Sequence, residues 1–162
     1  MTVKRATFPH ITRESGGALP LARPTQVPEP GLGLIGLALA DGLTRDLIRL
    51  RFERLGWKVL TASDGRRALH MLQTQTLALI LLDLWLPQIN GLDVLRQARN
   101  PAPAIILSDV ASPELVLGAA AAGAHGFVLK PIDLDALVSR ARQAMTGSPA
   151  GAFVDKPRLA AQ

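Results

Sequence analysis

Four polar residues in this sequence each follow a short apolar run, a pattern typical of buried strands that end at a functional edge. They are Asp41, Asp83, Ser108 and Lys130. Residues 77–82, before Asp83, are six apolar residues without alternation, which suits a parallel strand covered on both faces. The carboxyl ends of such strands share the edge at which open α/β sheets bind ligands. We therefore expect carboxylates, a hydroxyl and an ammonium to form a site there, although Asp83 alone could equally cap the next turn.

Apolar patterns predict five repeats of a strand followed by a helix. The predicted strands are residues 33–40, 57–62, 77–83, 104–107 and 126–129, and the predicted helices are residues 43–55, 66–74, 92–99, 113–122 and 134–145. Crossover connections of this kind produce a parallel sheet with helices on both faces. The predicted fold class is therefore α/β, with a doubly wound parallel sheet.

The length and the flanking segments predict one folded domain. A chain of 162 residues with 48% hydrophobic residues is long enough for a single core. Residues 1–30 contain five prolines and no apolar periodicity, which predicts a disordered or extended Pro-rich arm. The folded domain is expected over residues 31–145, and residues 146–162 are expected to form a flexible C-terminal tail.

The composition excludes several classes of protein. The net charge of +5 is spread thinly along the chain, so no concentrated basic face is expected to bind nucleic acid directly. The absence of cysteine excludes disulfides and thiolate metal sites. No apolar run reaches the roughly 18 residues of a membrane span, and no secretory signal is visible. We therefore expect a cytoplasmic protein without a membrane partner.

A glycine pattern, Gly31-x-Gly33-x-x-Gly36, matches the spacing of dinucleotide-binding turns. That motif binds phosphates only where a strand precedes it and a helix begins within it. The preceding residues, 25–30, contain two prolines and make a poor strand. We expect these glycines at the entry of the first strand, and dinucleotide binding is the weakest of the functional hypotheses.

Several motifs, in the correct order, resemble the receiver domain of bacterial response regulators. They are residues 79–87 with Asn90-Gly91, then Ser108, then residues 122–131, with residues 56–59 and 62–65 in support. The resemblance covers about residues 33–145. It implies a flavodoxin-like (βα)5 fold, whose parallel sheet has the strand order 2-1-3-4-5.

The resemblance implies a role for each residue of the candidate site. Asp83 would be the phosphoacceptor, taking a phosphoryl group from phosphohistidine on a histidine kinase or a histidine phosphotransfer protein. Lys130 would neutralise phosphoryl charge, and Pro131 would fix its loop through a cis peptide bond. Ser108 would bind a phosphoryl oxygen, and Phe127 matches an aromatic switch position, although it could equally be an ordinary core residue. No enzyme activity is implied beyond self-phosphorylation and self-dephosphorylation at Asp83.

The acidic pair by which the family holds Mg²⁺ is missing from this sequence. Counting back from Gly56 aligns Leu39 and Ala40 with the two positions of that pair, and Asp41 matches only the next one. If the strand slips by one residue, Asp83, the Trp85 carbonyl and Asp41 could form a weak Mg²⁺ site, because Mg²⁺ takes oxygen ligands and keeps several waters.

Three further features bear on phosphorylation. A direct ion pair between Asp83 and Lys130 could replace the metal, since the two charges sum to zero. Asp109 follows Ser108 where the family usually has a small residue, and its carboxylate would repel a phosphoryl group if it points inward. The large side chain of Trp85 could also crowd the entrance.

Two functional hypotheses therefore stay open. The first is a stand-alone receiver that accepts a phosphoryl group on Asp83 and signals through protein contacts. The second is a pseudo-receiver, a protein-binding module whose state does not depend on phosphorylation, and Leu39-Ala40 favours it. The expected surface for a partner or a homodimer comprises helix 113–122, strand 126–129 and helix 134–145.

Overall fold

The computed structural model describes residues 33–99, 102–147 and 153–155, which form a parallel sheet flanked by helices. The strands are β1 (Leu34–Ala38), β2 (Lys58–Ala62), β3 (Leu79–Asp83), β4 (Ala104–Ser108), β5 (Gly126–Leu129) and β6 (Val154–Asp155). The helices are α1 (Gly42–Arg54), α2 (Gly65–Thr74), α3 (Gly91–Ala98), α4 (Pro113–Ala121) and α5 (Leu134–Thr146). Among these ranges, no helix is both long and apolar enough to cross a bilayer. The predicted arm, residues 1–30, lies outside the described residues.

The strand order confirms the predicted topology and adds one strand to it. The sheet runs β2-β1-β3-β4-β5-β6, and all its pairs are parallel. The added strand, β6, lies within residues 146–162, where the sequence predicts a flexible tail. The Phe127 N–H donates to the Phe153 carbonyl at 2.9 Å, which joins this segment to the open edge of β5. Strand β6 has only two residues, in a segment that contains proline and glycine. Two residues are too few to show an alternating apolar pattern, so the sequence does not predict this strand.

Helices cover both faces of the sheet, which explains why the central strand is apolar throughout. Alternate residues of β3 enter two different cores: Ile80 and Leu82 pack on the side of α2, α3 and α4, whereas Leu79 and Leu81 pack on the side of α1 and α5. All five residues of β3 are buried. The uninterrupted apolar run is therefore the sequence signature of a two-sided strand, as predicted.

Polar caps fix the point at which each helix begins. The capping residues are Asp41, Asp64, Asn90, Ser112 and Asp133, and each accepts a hydrogen bond from a backbone N–H in the first turn of its helix. Such bonds satisfy N–H groups that have no partner within the helix. As a result, the turns after the strands are short and well defined, and the residues at the strand ends keep fixed positions.

The glycine pattern does not form a dinucleotide-binding turn. Gly33 precedes β1 with a φ of 93°, and Gly36 lies inside β1. An added Cβ at Gly36 would lie 2.8 Å from a methyl group of Leu77, so the glycine serves close packing of α2 and β3 against β1. Gly31 lies outside the described residues. No helix begins within the part of the motif that the structure describes, and the dinucleotide hypothesis has no support.

Gly65 allows α2 to begin in direct contact with the loop after β3. Its N–H donates to the Pro87 carbonyl at 3.0 Å. A Cβ added there would lie 1.9 Å from the carbonyl oxygen of Ile89, which is far inside van der Waals contact with rigid backbone. This approach fixes the loop that carries the residues after Asp83.

We predict that Gly65→Ala destabilises the fold by about 2–3 kcal/mol, because backbone must move to accept the methyl group. The measurement is urea unfolding followed by circular dichroism. Gly118→Ala is the matched control, since its Cβ would meet only a Leu92 methyl at 3.5 Å and alanine favours a helix interior. Equal unfolding midpoints for the two variants would contradict this packing account.

Candidate functional site

Three neighbouring strands bring polar residues to one edge of the sheet. Asp83 ends β3 in register with Leu107, and Ser108 ends β4 in register with Leu129. The backbone N–H of Lys130 donates to the Ser108 carbonyl at 2.9 Å, so the chain stays paired just beyond β5. Asp83, Ser108 and Lys130 therefore lie together, as the strand-end argument predicts.

An ion pair between Asp83 and Lys130 forms the centre of this edge. The Lys130 Nζ donates to Asp83 Oδ2 at 3.0 Å, and the Trp85 backbone N–H donates to Asp83 Oδ1 at 3.2 Å. Asp83 is only 4% exposed and the Lys130 side chain 20% exposed. Each oxygen of a buried carboxylate thus has a donor, which is the condition for keeping such a charge in a protein interior. The peptide bond between Lys130 and Pro131 is cis, as the resemblance implies.

The hydroxyl of Ser108 is engaged within its own loop. Ser108 is fully buried. Its Oγ donates to the Val110 carbonyl at 2.8 Å and accepts from the Val110 N–H at 3.1 Å. The loop after β4 is therefore closed by one side chain, and the hydroxyl must give up the Val110 carbonyl before it can donate to any other acceptor.

Asp41 lies near the site but acts as a helix cap. Its Oδ2 accepts from the Thr44 N–H at 2.9 Å. Hydrogen bonds from the side chain and the backbone of Thr44 hold the pKa of the Asp41 carboxyl below its ordinary value, and the charge of Lys130 adds a smaller effect in the same direction. Leu39, which the resemblance aligns with the first position of the acidic pair, is fully buried in the core and contributes an apolar side chain to packing.

Two exposed residues flank the ion pair. The Asp109 side chain is 67% exposed, and its Oδ2 lies 3.9 Å from the Lys130 Nζ. Trp85 is 57% exposed, whereas Leu84 and Leu86 on either side of it are buried and anchor the loop. The backbone of Trp85 thus binds Asp83 while its ring remains at the surface.

Phe127 occupies the core in this structure. It is fully buried and belongs to the cluster on the side of α2, α3 and α4. Its position fits the ordinary core role that the sequence leaves open beside the switch role.

A groove adjoins Lys130 on the α1 side of the site. It has a volume of about 240 Å³ and is lined by Thr44, Leu47, Ile48, Lys130, Pro131, Ile132 and Leu134. Leu43 and Leu47 are exposed on the same helix. An apolar helix surface therefore continues into the neighbourhood of the ion pair.

Two partners in the site are absent from the sequence prediction. Thr44 binds the Asp41 carboxylate, and an aspartate directly before a helix is an N-cap signal that could have identified this role. Val110 binds Ser108 through its backbone, and because every residue type offers a carbonyl and nearly all an N–H, no side-chain pattern could have revealed it.

Comparison with known proteins identifies the family. The model of the response regulator receiver domain matches residues 40–142. The chain belongs to the receiver domain family. A probable transcriptional regulatory protein of Picosynechococcus is 38% identical over 113 residues, which cover 63% of this chain and 45% of that protein. The transcriptional regulatory protein KdpE of Mycobacterium tuberculosis is 34% identical over 112 residues, covering 68% of this chain and 50% of that protein.

Solved structures agree with this assignment. The receiver domain of the Francisella response regulator 1452 superposes with a TM-score of 0.67 and 26% identity, covering 72% of this chain and 98% of that one. This receiver spans about half the length of the curated relatives that it matches. Membership of this family makes the chain a receiver module of two-component signalling.

We predict that Lys130→Met destabilises the receiver by about 1–3 kcal/mol, because it leaves a buried carboxylate without its cation. Asp83→Asn combined with Lys130→Met should be less destabilised than the sum of the single variants, with a coupling of about 1 kcal/mol or more. Unfolding free energies from urea titration at neutral pH give the cycle. Strict additivity would show that the ion pair contributes no stability.

Proposed function

We propose that this receiver accepts a phosphoryl group on Asp83 from phosphohistidine of a histidine kinase or a histidine phosphotransfer protein. One Asp83 oxygen forms a new O–P bond while the P–N bond to the donor imidazole breaks. The electron pair of the broken bond stays on the imidazole nitrogen, which takes up a proton. The product is an aspartyl phosphate, and the signal passes on through protein contacts.

The observation that carries this proposal is the ion pair of Asp83 with Lys130 at the shared strand edge. The attacking oxygen and the phosphoryl group are both negative, so a cation at 3.0 Å from the carboxylate lowers the cost of bringing them together. The Ser108 hydroxyl, one strand away, would donate to a phosphoryl oxygen once it leaves the Val110 carbonyl. Phe127 would report the change only if its buried ring moves.

Receiver domains typically bind Mg²⁺ in an acidic pocket, but the residues of this chain do not fit that ion. Leu39 and Ala40 replace the acidic pair, and the Asp41 carboxylate already caps α1. Among the residues that the structure describes, no three carboxylates or histidines come together as a metal site. The charges of Asp83 and Lys130 sum to zero, so we assign charge neutralisation to Lys130.

Two features of this edge also favour a second candidate function, a pseudo-receiver. The full burial of Leu39 and the engagement of Ser108 with Val110 leave the phosphoacceptor edge with few groups turned towards an incoming ligand. In that case the receiver acts as a binding module in a single state. Phosphorylation distinguishes the two candidates directly.

We predict that incubation with a small acyl phosphate adds one phosphoryl group, read as intact mass, and that Asp83→Ala abolishes the addition. Asp46→Ala, an exposed carboxylate on α1, is the matched control and should be labelled like the parent chain. Because Lys130 supplies the cation, EDTA should change the initial rate by less than about threefold, whereas a metal-dependent site would lose most of its rate.

Failure of the parent chain to gain mass, with a phosphohistidine donor protein also tried, would reject the phosphoacceptor function and leave the pseudo-receiver. Labelling that survives Asp83→Ala would assign the phosphoryl group to another residue. Either result would contradict phosphorylation of Asp83.

For the donor protein, we propose the groove between α1 and the loop after β5 as the docking surface. It joins the exposed Leu47 of α1 to Lys130, so a partner seated there would hold its phosphohistidine beside Asp83. For the output, we propose the surface of α4, β5 and α5, as a homodimer or partner contact. Ala119 is buried against the sheet of its own chain, and Leu117 points outward. Because β6 covers the free edge of β5, this contact would rest mainly on α4 and α5.

We predict that substitutions of two exposed leucines affect two different measurements. Leu117→Arg on α4 should weaken self-association or partner binding, measured by analytical ultracentrifugation, and leave phosphotransfer unchanged. Leu47→Arg on α1, in the lining of the groove, should slow phosphotransfer from a donor protein by at least about tenfold, since it buries a charge at the contact, and leave association unchanged. The same effect of both variants on both measurements would contradict the division into two surfaces.

A further inference from the structure

One ammonium at this edge faces two carboxylates. The Lys130 Nζ lies 3.0 Å from Asp83 Oδ2 and 3.9 Å from Asp109 Oδ2. Asp83 is buried, whereas Asp109 is exposed at the mouth of the site. The charge of Lys130 also lowers the pKa of Asp41, but the Asp41 carboxylate accepts a hydrogen bond from the Thr44 N–H. Asp109 is therefore the second anion in contact with the cation that the proposed chemistry uses.

The position of Asp109 is set by the loop around it. The residues on either side of it, Ser108 and Val110, are tied together through both backbone groups of Val110. The Ser108 carbonyl in turn accepts from the Lys130 N–H at 2.9 Å. Asp109 thus sits at the tip of a closed loop that is attached to the segment carrying Lys130, and its approach to the ammonium follows from backbone geometry.

We propose that Asp109 is a positioning residue that competes with the phosphoryl group for Lys130 and so limits phosphorylation of Asp83. The inference rests on the proposed function. An incoming phosphoryl group needs the positive charge of Lys130, and a carboxylate beside the same ammonium both shares that charge and repels the phosphoryl oxygens. Removal of the Asp109 charge therefore favours the phosphorylated state.

The same loop couples this repulsion to Ser108. When the Ser108 hydroxyl donates to a phosphoryl oxygen, its bond to the Val110 carbonyl is lost. The Val110 N–H can still donate to the Ser108 Oγ, so the loop is loosened rather than released, and Asp109 gains freedom to move away from Lys130. Binding of the phosphoryl group by the Ser108 hydroxyl thereby also weakens the repulsion from the Asp109 carboxylate.

The test compares initial rates of Asp83 phosphorylation by a small acyl phosphate, measured by intact mass at low and high salt. Asp109→Asn keeps the shape and removes the charge, and its rate should rise roughly 3- to 10-fold at low salt. The gain should shrink at high salt, because exposed charges are screened. Asp109→Glu should remain near the parent rate, and Asp46→Asn, with the same change in net charge on α1, should match it as well.

Each result has a distinct meaning. A faster Asp109→Asn variant, relative to a parent chain that is itself labelled, supports the inference. Equal rates for Asp109→Asn and Asp46→Asn, with the parent chain labelled, overturn the inference and leave the proposed function intact. A gain that does not depend on salt overturns the electrostatic cause. If no variant is labelled by either the acyl phosphate or a phosphohistidine protein, the proposed function falls and the inference falls with it.

Discussion

The structure of this edge depends on how one buried carboxylate is compensated. Asp83 is almost completely withdrawn from solvent, and an isolated charge in such a place costs several kcal/mol. Its cation, Lys130, comes from the end of β5, two strands away, and reaches Asp83 past the end of β4. The ion pair therefore requires the parallel order of these three strands, and it in turn holds together the ends of β3 and β5.

The loss of the acidic pair follows the same logic. A carboxylate at the position of Leu39 would enter an apolar core on the side of α1 and α5, where burial of a charge is costly. With that acid absent, a single lysine balances the remaining carboxylate. In the proposed function, the receiver fold is thus kept while Lys130, rather than a divalent cation, balances the charge of Asp83.

Much of this architecture is predictable from the sequence because it depends on pattern. The two-sided burial of β3, the four crossovers that join β1 to β5 and the meeting of Asp83 with Lys130 follow from apolar runs and from the geometry of parallel strands. The engagement of Ser108 by Val110 is not predictable, since it uses backbone groups that every position offers. Strand β6 is too short to leave a period, and Asp41 has two compatible roles that only the register of β1 separates.

We propose that Lys130, and not a metal ion, neutralises Asp83. The most direct measurement is a high-resolution crystal structure of the chain grown in millimolar Mg²⁺. We expect the Lys130 Nζ to stay within hydrogen-bond distance of the Asp83 carboxylate, with Asp41 still capping α1. An octahedral ion bound to Asp83, with Lys130 displaced and Asp41 turned towards the metal, would contradict it.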